Sequence, residues 1–307
     1  MFRSRTTPRL WVIDKENGGK SDALNTGINF CHTPLFCAMD SDSLLEREAL
    51  IRIVRPFLED ASTIAVGGII RIVNGCNIAS GEVTDIRLPT KLLAQYQVLE
   101  YLRAFLAGRM GWDGIHATLI ISGAFGVFRR EAVVKAGGYV TDTVGEDMEL
   151  VVRLHRYHLE NEIPYNISFI PDPVAWTVCP ESIRILPMPF FYFLEMLGPV
   201  VEFCGYITFV AAVIAGIASP VYVVAFLMVA FVFGIAISVA SVLLEELTFR
   251  RYPRHRDLLH LFLLAVIENF GYRQLSTYLR IKGTLSALRK VKGWAKMERK
   301  GFSHANV

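Results

Sequence analysis

The sequence predicts an α/β domain followed by a helical membrane region. Three observations carry that reading: strand-length apolar runs alternate with helical stretches in the front of the chain, one long later stretch lacks charge, and the chain behind that stretch is strongly basic. Apolar runs of strand length lie at Leu10–Ile13, Pro34–Met39, Thr63–Ile72, Ala117–Phe128 and Asn166–Ile170. Helical stretches intervene at Ser21–Phe30, Ser43–Phe57, Thr90–Leu106, Arg130–Ala136 and Glu146–His158. Such alternation indicates a layered fold with a largely parallel sheet, which we assign to residues 1–186.

Phe203 to Leu244 is a run of 42 residues without Asp, Glu, Lys or Arg, in a chain that is 52% hydrophobic with mean hydropathy +0.38. As helix, at about 1.5 Å per residue, it overshoots a bilayer core of about 30 Å twofold. Two spans are therefore expected within 187–247, near Phe191–Gly216 and Val221–Leu244, with Ala218-Ser219-Pro220 as the turn. The last segment, 248–307, holds a third apolar stretch, LLHLFLLAVIENFGYRQLSTYL, broken by Glu268, Asn269, Arg273 and Gln274. An interfacial or re-entrant helix is expected there, with a span as the alternative.

Residues 250–300 hold thirteen Lys and Arg against three acids, and the cluster Arg250 to Arg256 directly follows the second expected span. By the positive-inside rule this places the basic segment, and with two spans the front domain as well, on the cytoplasmic side of a plasma or inner membrane. Lipid headgroups are the expected partner of the basic charge, and nucleic acid is not. No apolar run occupies the first thirty residues, so neither a signal peptide nor an N-terminal anchor is expected. Five cysteines, odd in number and without a C-x-x-C pair, argue against a disulfide framework and a zinc site.

Four motifs carry chemistry. NGGKSDALN, residues 17–25, leads two glycines and a lysine into a helix, although Asp14 stands where a Walker loop needs its first glycine. It reads as an anion-binding helix start or as a plain turn and cap. LFCAMDSDS puts Asp40 and Asp42 behind an apolar strand, as ligands for one hard divalent cation or as a solvated turn. SGAFGVFRR, from Ser122, is an acceptor-binding wall or a core strand. VGEDMELVVRL sets Glu146 and Asp147 at a helix start whose Met148, Val151, Val152 and Leu154 are expected to pack inward, so the acids serve as a general base or as helix caps.

In this order, N-G-G-K-x-x-A-L-N, D-x-D, S-G-A-F-G and G-E-D ahead of apolar spans, the chain resembles the membrane-bound family 2 inverting glycosyltransferases, the hyaluronan, chitin, cellulose and poly-N-acetylglucosamine synthases. The resemblance runs from about Trp11 to Phe302 and implies a Rossmann-like GT-A domain that binds a nucleotide sugar, usually UDP-linked, and a saccharide acceptor. It further implies that Asn17, Gly18, Gly19, Lys20 and Asn25 touch the donor diphosphate and that Asp40 and Asp42 hold Mg²⁺ or Mn²⁺. Ser122, Gly123, Ala124 and Phe125 would line the substrate path, and Asp147, beside Glu146, would be the catalytic base. Two departures accompany the match. The family's domain opens with strands that hold the nucleotide base, and the chain begins after them. Pro180-Glu181-Ser182-Ile183-Arg184 runs into Pro187-Met188-Pro189 without the Q-x-x-R-W segment. The GT-A domain is therefore expected to be partial and N-terminally truncated, and turnover by the chain alone to be slight. The alternative is a catalytically silent membrane module that keeps the fold.

Overall fold

The computed structural model describes residues 1–114, 116, 118–143, 145–177, 204–205, 207–217, 219–249 and 252–288. Two short strands, β1 (Phe2–Arg3) and β2 (Trp11–Val12), pair only with each other and lie exposed. The first expected strand therefore stays outside the main sheet. Helix α1 (Lys20–Phe30) leads into β3 (Leu35–Met39), and a turn through Asp40 joins it to β4 (Leu44–Leu45) and α2 (Ala49–Glu59). The stretch read as one helix from Ser43 thus splits into a strand and a shorter helix.

Strand β5 (Thr63–Ile72) matches its expected span, and all ten of its residues are buried. A short hairpin, β6 (Asn77–Ala79) with β7 (Glu82–Asp85), precedes α3 (Leu92–Tyr101), which widens into a π-helix over Leu102–Arg109 and ends in α4 (Met110–Asp113). Of the run from Ala117, only β8 (Phe125–Arg129) pairs as strand, while Ile120 and Ile121 are buried without pairing. Then follow α5 (Arg130–Lys135), α6 (Glu146–Glu160) and β9 (Asn166–Thr177).

The sheet order is β3-β8-β5-β9-β4. β5 and β9 are parallel, but β8 runs antiparallel to both β3 and β5, and β4 antiparallel to β9. The sheet is mixed rather than largely parallel. The hairpin, the long π-widened helix and α4 between β5 and β8 replace the single crossover helix that would have made that pair parallel. Since β3, β5 and β9 share one direction, Asp40 behind β3 and Arg71 near the end of β5 lie at the same end of the sheet.

Helices cover both faces. Ile28 of α1, Val133 of α5, and Leu150, Val151 and Leu154 of α6 share one core; Ala49, Ile53 and Phe57 of α2 join Phe105 and Phe169 in the other. Each fully buried leucine contributes about 1.5–3 kcal/mol. On α6 the inward set is Leu150, Val151, Leu154 and His158, whereas Val152, expected inside, is 42% exposed. This small rotation puts Asp147 three and seven residues before Leu150 and Leu154, on the protein-facing side of the helix.

Helix α7 (Pro220–Phe249) follows Ser219, whose hydroxyl accepts the Val221 N–H at 3.3 Å. It is the one described helix long and apolar enough to cross a membrane, with mean hydropathy 2.8 over its best window. The other expected span begins on residues outside those described, and 204–205 and 207–214 of it are seen as helix. The third apolar stretch is two helices, α8 (His255–Ile267) and α9 (Tyr272–Leu288), with Gly271 at φ +101° between them. Thirteen residues of α8 reach about 20 Å, too short to cross.

Candidate active site

Three chain segments meet at the end of β3. Lys20 is the first residue of α1, and its Nζ lies 2.7 Å from Asp40 Oδ1, 3.2 Å from Glu146 Oε1 and 3.2 Å from the Gly123 carbonyl, to which it donates. An ammonium has three protons, and here each has an acceptor. Lys20 therefore binds carboxylates rather than standing free for a further anion. Burial works to lower the Lys20 pKa, but the charges of and hydrogen bonds to Asp40 and then Glu146 outweigh it, and the net shift is upward. The stabilisation from these contacts is therefore complete below the ordinary lysine value and lost only as pH rises through the raised one.

Asp147 is held differently. Its Oδ2 accepts the Gly123 N–H at 3.0 Å and its Oδ1 accepts the N–H of Met148 at 2.9 Å. Two backbone donors fix the carboxylate and leave lone pairs on both oxygens for a further partner. Gly123 thus gives its carbonyl to Lys20 and its amide to Asp147. A Cβ there would lie 2.7 Å from Lys20 Nζ and 3.5 Å from Asp147 Oδ2. Because the obstacle is the tip of a flexible side chain, Gly123→Ala is expected to displace Lys20 while leaving the unfolding midpoint within a few degrees. A large loss of stability would refute this.

The remaining sequence-predicted residues divide. Asn17 Oδ1 accepts the Gly19 N–H at 3.0 Å, closing the turn before α1. Gly19 has φ +89°, so the turn itself calls for glycine there, while a Cβ on Gly18 would press on the Asp22 carboxylate. Asp22 pairs with Lys15. Asn25 lies away from the carboxylate cluster: its side chain is engaged with the backbone of Tyr139, donating to the carbonyl and accepting from the amide, both at 2.7 Å. Ser122 Oγ accepts the Ala124 N–H at 3.3 Å, and the Ala124 carbonyl accepts the Asp40 N–H at 3.3 Å, so this segment braces the end of β3. Phe125 is fully buried in the core and cannot present its ring to an acceptor. Asp42 sits half-buried in the turn between β3 and β4. Sequence reasoning missed Tyr139 and Arg153. The signal was present in Gly137-Gly138 directly behind a helix.

Residues 3–189 match the family model described as Glycosyltransferase like family 2. The chain belongs to this glycosyltransferase family. As a family 2 transferase it is also similar to poly-β-1,6-N-acetyl-D-glucosamine synthase of Staphylococcus aureus (strain COL), at 28% identity over 174 residues covering 57% of this chain and 37% of the relative. The Staphylococcus epidermidis synthase of the same name is 27% identical over 172 residues, again covering 37% of its length. The chain thus spans little more than a third of these curated relatives. Among solved structures, a mannosyltransferase from Pyrobaculum calidifontis in complex with GDP-Man and Mn²⁺ superposes over 92% of this chain and 70% of its own, at 17% identity and TM-score 0.43.

Proposed function

We propose that this family 2 glycosyltransferase moves a sugar from a nucleoside diphosphate, UDP-linked, to a saccharide acceptor with inversion at the anomeric carbon, on a GT-A domain. The observation that supports this reading is the convergence of Asp147, Glu146, Lys20 and Asp40 around Gly123 at one end of the sheet. Asp147, oriented by two backbone amides and free of ion pairing to Lys20, takes the proton from the attacking acceptor hydroxyl. Glu146 and Asp40 hold the Lys20 ammonium beside it. The hydroxyl oxygen forms its bond to the anomeric carbon as the bond to the diphosphate oxygen breaks, and the diphosphate leaves with the electron pair.

A divalent cation fits this site as a companion of the donor. Asp40 already faces a cation, the Lys20 ammonium, and Asp40 and Asp42 supply the hard oxygen donors that suit Mg²⁺ or Mn²⁺ when phosphates and waters complete the shell. Among the described residues no three His, Cys, Asp or Glu side chains gather tightly enough to hold a metal unaided, as expected of an ion that arrives with a diphosphate. When bound it would offset the charge developing on the leaving group. Nucleotide-sugar binding, followed by calorimetry in detergent, is expected to require Mg²⁺ or Mn²⁺ and to weaken about tenfold or more in Asp42→Ala. Equal binding in EDTA would remove the metal role.

The bilayer is the third partner, with the catalytic domain on its cytoplasmic face. Helix α7 is inverted relative to a soluble helix: it buries Gly234, Ser238, Ser241, Val242 and Glu245 and exposes Val221, Tyr222, Met228, Val229 and Phe233. Small and polar residues facing protein, with large apolar residues facing outward, suit a lipid solvent.

A further inference from the structure

We infer that Asn25 and Arg153, acting on the Gly137-Gly138-Tyr139 turn from opposite sides, are positioning residues that lock α1 to α6 and thereby fix Lys20 against Glu146 and Asp147. The inference rests on the functional reading above only for its consequence in turnover. The lock itself stands on geometry.

Helix α5 ends in a paired cap: the Gly137 N–H reaches the Val134 carbonyl at 3.0 Å and the Gly138 N–H reaches the Val133 carbonyl at 2.9 Å. Both glycines take left-handed backbone, φ +94° and +72°, which glycine adopts without steric cost. From the α6 side Arg153 closes on it. Its guanidinium donates to the Ala136 carbonyl and, at 2.5 Å, to the Gly138 carbonyl, while Glu149 one turn earlier holds Nε and Nη2 at 2.7 and 2.8 Å. A forked cation thereby satisfies carbonyls at a helix C-terminus that would otherwise lack partners.

From the α1 side Asn25 grips the next residue through both of its amide atoms, as a backbone strand would. The fit is close: a Cβ on Gly138 would lie 2.7 Å from Asn25 Oδ1. Tyr139 is buried, its ring edge-on to Phe128. Burial, and behind it the charges of Asp147 and Glu146, push its phenol upward, so it stays neutral beside them. Lys20 lies five residues before Asn25, and Asp147 six before Arg153. Both helices carry site residues at their N-termini and are pinned, one to two turns further along, to one turn: Arg153 to Ala136 and Gly138, Asn25 to Tyr139. None of these groups serves as donor or acceptor to the carboxylate cluster itself, which is why their role is placement.

Hydrogen exchange on the full chain in detergent micelles tests this without any substrate. Asn25→Ala is expected to speed exchange of the α6 amides 149–154 about tenfold, although Asn25 bonds Tyr139 and not α6, and Arg153→Met to speed the α1 amides 23–27 similarly. Asn25→Asp, which keeps the acceptor for the Tyr139 N–H, should fall between. Amides of β5 should not change. Faster exchange confined to the mutated helix, or equal acceleration in β5, overturns the inference. In turnover, Asn25→Ala is expected to lower kcat roughly tenfold to a hundredfold with donor KM within about twofold; a change in KM alone overturns the placement of Lys20. Turnover is read in a chimera in which this chain replaces the matching stretch of a staphylococcal synthase; if that chimera transfers no sugar from any donor, the functional reading fails, and exchange still decides the lock.

Discussion

Asp147→Asn is expected to lower sugar transfer by about 10²–10⁴-fold, in a chimera in which this chain replaces the matching stretch of a related synthase, while donor binding and the unfolding midpoint stay close to those of the unmutated chimera. Asparagine has nearly the shape of aspartate, and its Oδ1 can still accept the Gly123 or the Met148 N–H that now hold the carboxylate. What it lacks is an oxygen that can accept a proton. The loss should therefore fall on kcat rather than KM, as for an interaction made only in the transition state. Glu146→Gln serves as the contrast. Glu146 is paired with Lys20 rather than backbone-oriented, so its replacement is expected to cost less than Asp147→Asn. Equal turnover by Asp147→Asn and the unmutated chimera would remove the base assignment.

The second large effect is expected at a distance from that chemistry. Arg71, near the end of β5, and Glu245 of α7 form an ion pair with 6% and 2% side-chain exposure, and the Arg71 guanidinium also lies 5.5 Å from the Phe249 ring. This contact joins the central sheet to the apolar helix at the sheet end where Asp40 lies. Among the described residues Arg71 Nε and Nη2 have no hydrogen-bond partner, and Arg71 borders a small cavity lined also by Tyr101 and Tyr252. The desolvation of the pair is thus only partly offset. Arg71→Met or Glu245→Leu alone leaves one buried charge and is expected to cost about 3–5 kcal/mol, whereas the double substitution should recover most of that loss. Unfolding of the four proteins in detergent gives the coupling directly. Single costs below about 1 kcal/mol, or costs that simply add in the double variant, would mean that the pair does not hold the helix to the sheet.

The parts that were legible in the sequence are those where one strong local pattern decides. Thr63–Ile72, six of whose ten residues are β-branched, is the central strand, and the Glu146 helix begins where its acids meet the helix dipole. Strand direction was not legible, because nothing in a run such as FGVFR records which neighbour it pairs with. The break of the third apolar stretch at Glu268 was visible as composition, but its cause is tertiary: Arg103 lies 2.7 Å from Glu268, and Ser238 of α7 bonds it too. At the site, the residue types were readable and the partnerships were not. Lys20 looked like a phosphate ligand by sequence order, and Asn25 by its place in the same motif. Only the fold shows Lys20 bound by carboxylates and Asn25 spent on a backbone more than a hundred residues away. Phe125, which reads equally well as wall or core, is core because β8 pairs on both sides.

If this chain's own carboxylate cluster performs a single displacement on a nucleotide sugar, the first sugar transferred must arrive with its anomeric configuration inverted. The measurement uses a chimera in which this chain replaces the matching stretch of a staphylococcal poly-β-1,6-N-acetyl-D-glucosamine synthase, supplied with an α-linked, ¹³C-labelled UDP-sugar and a short acceptor and followed by NMR. The account predicts a β-linked product that appears together with UDP and vanishes in the Asp147→Asn chimera. An α-linked product, or no product from a chimera shown to be folded and to bind donor, would contradict it.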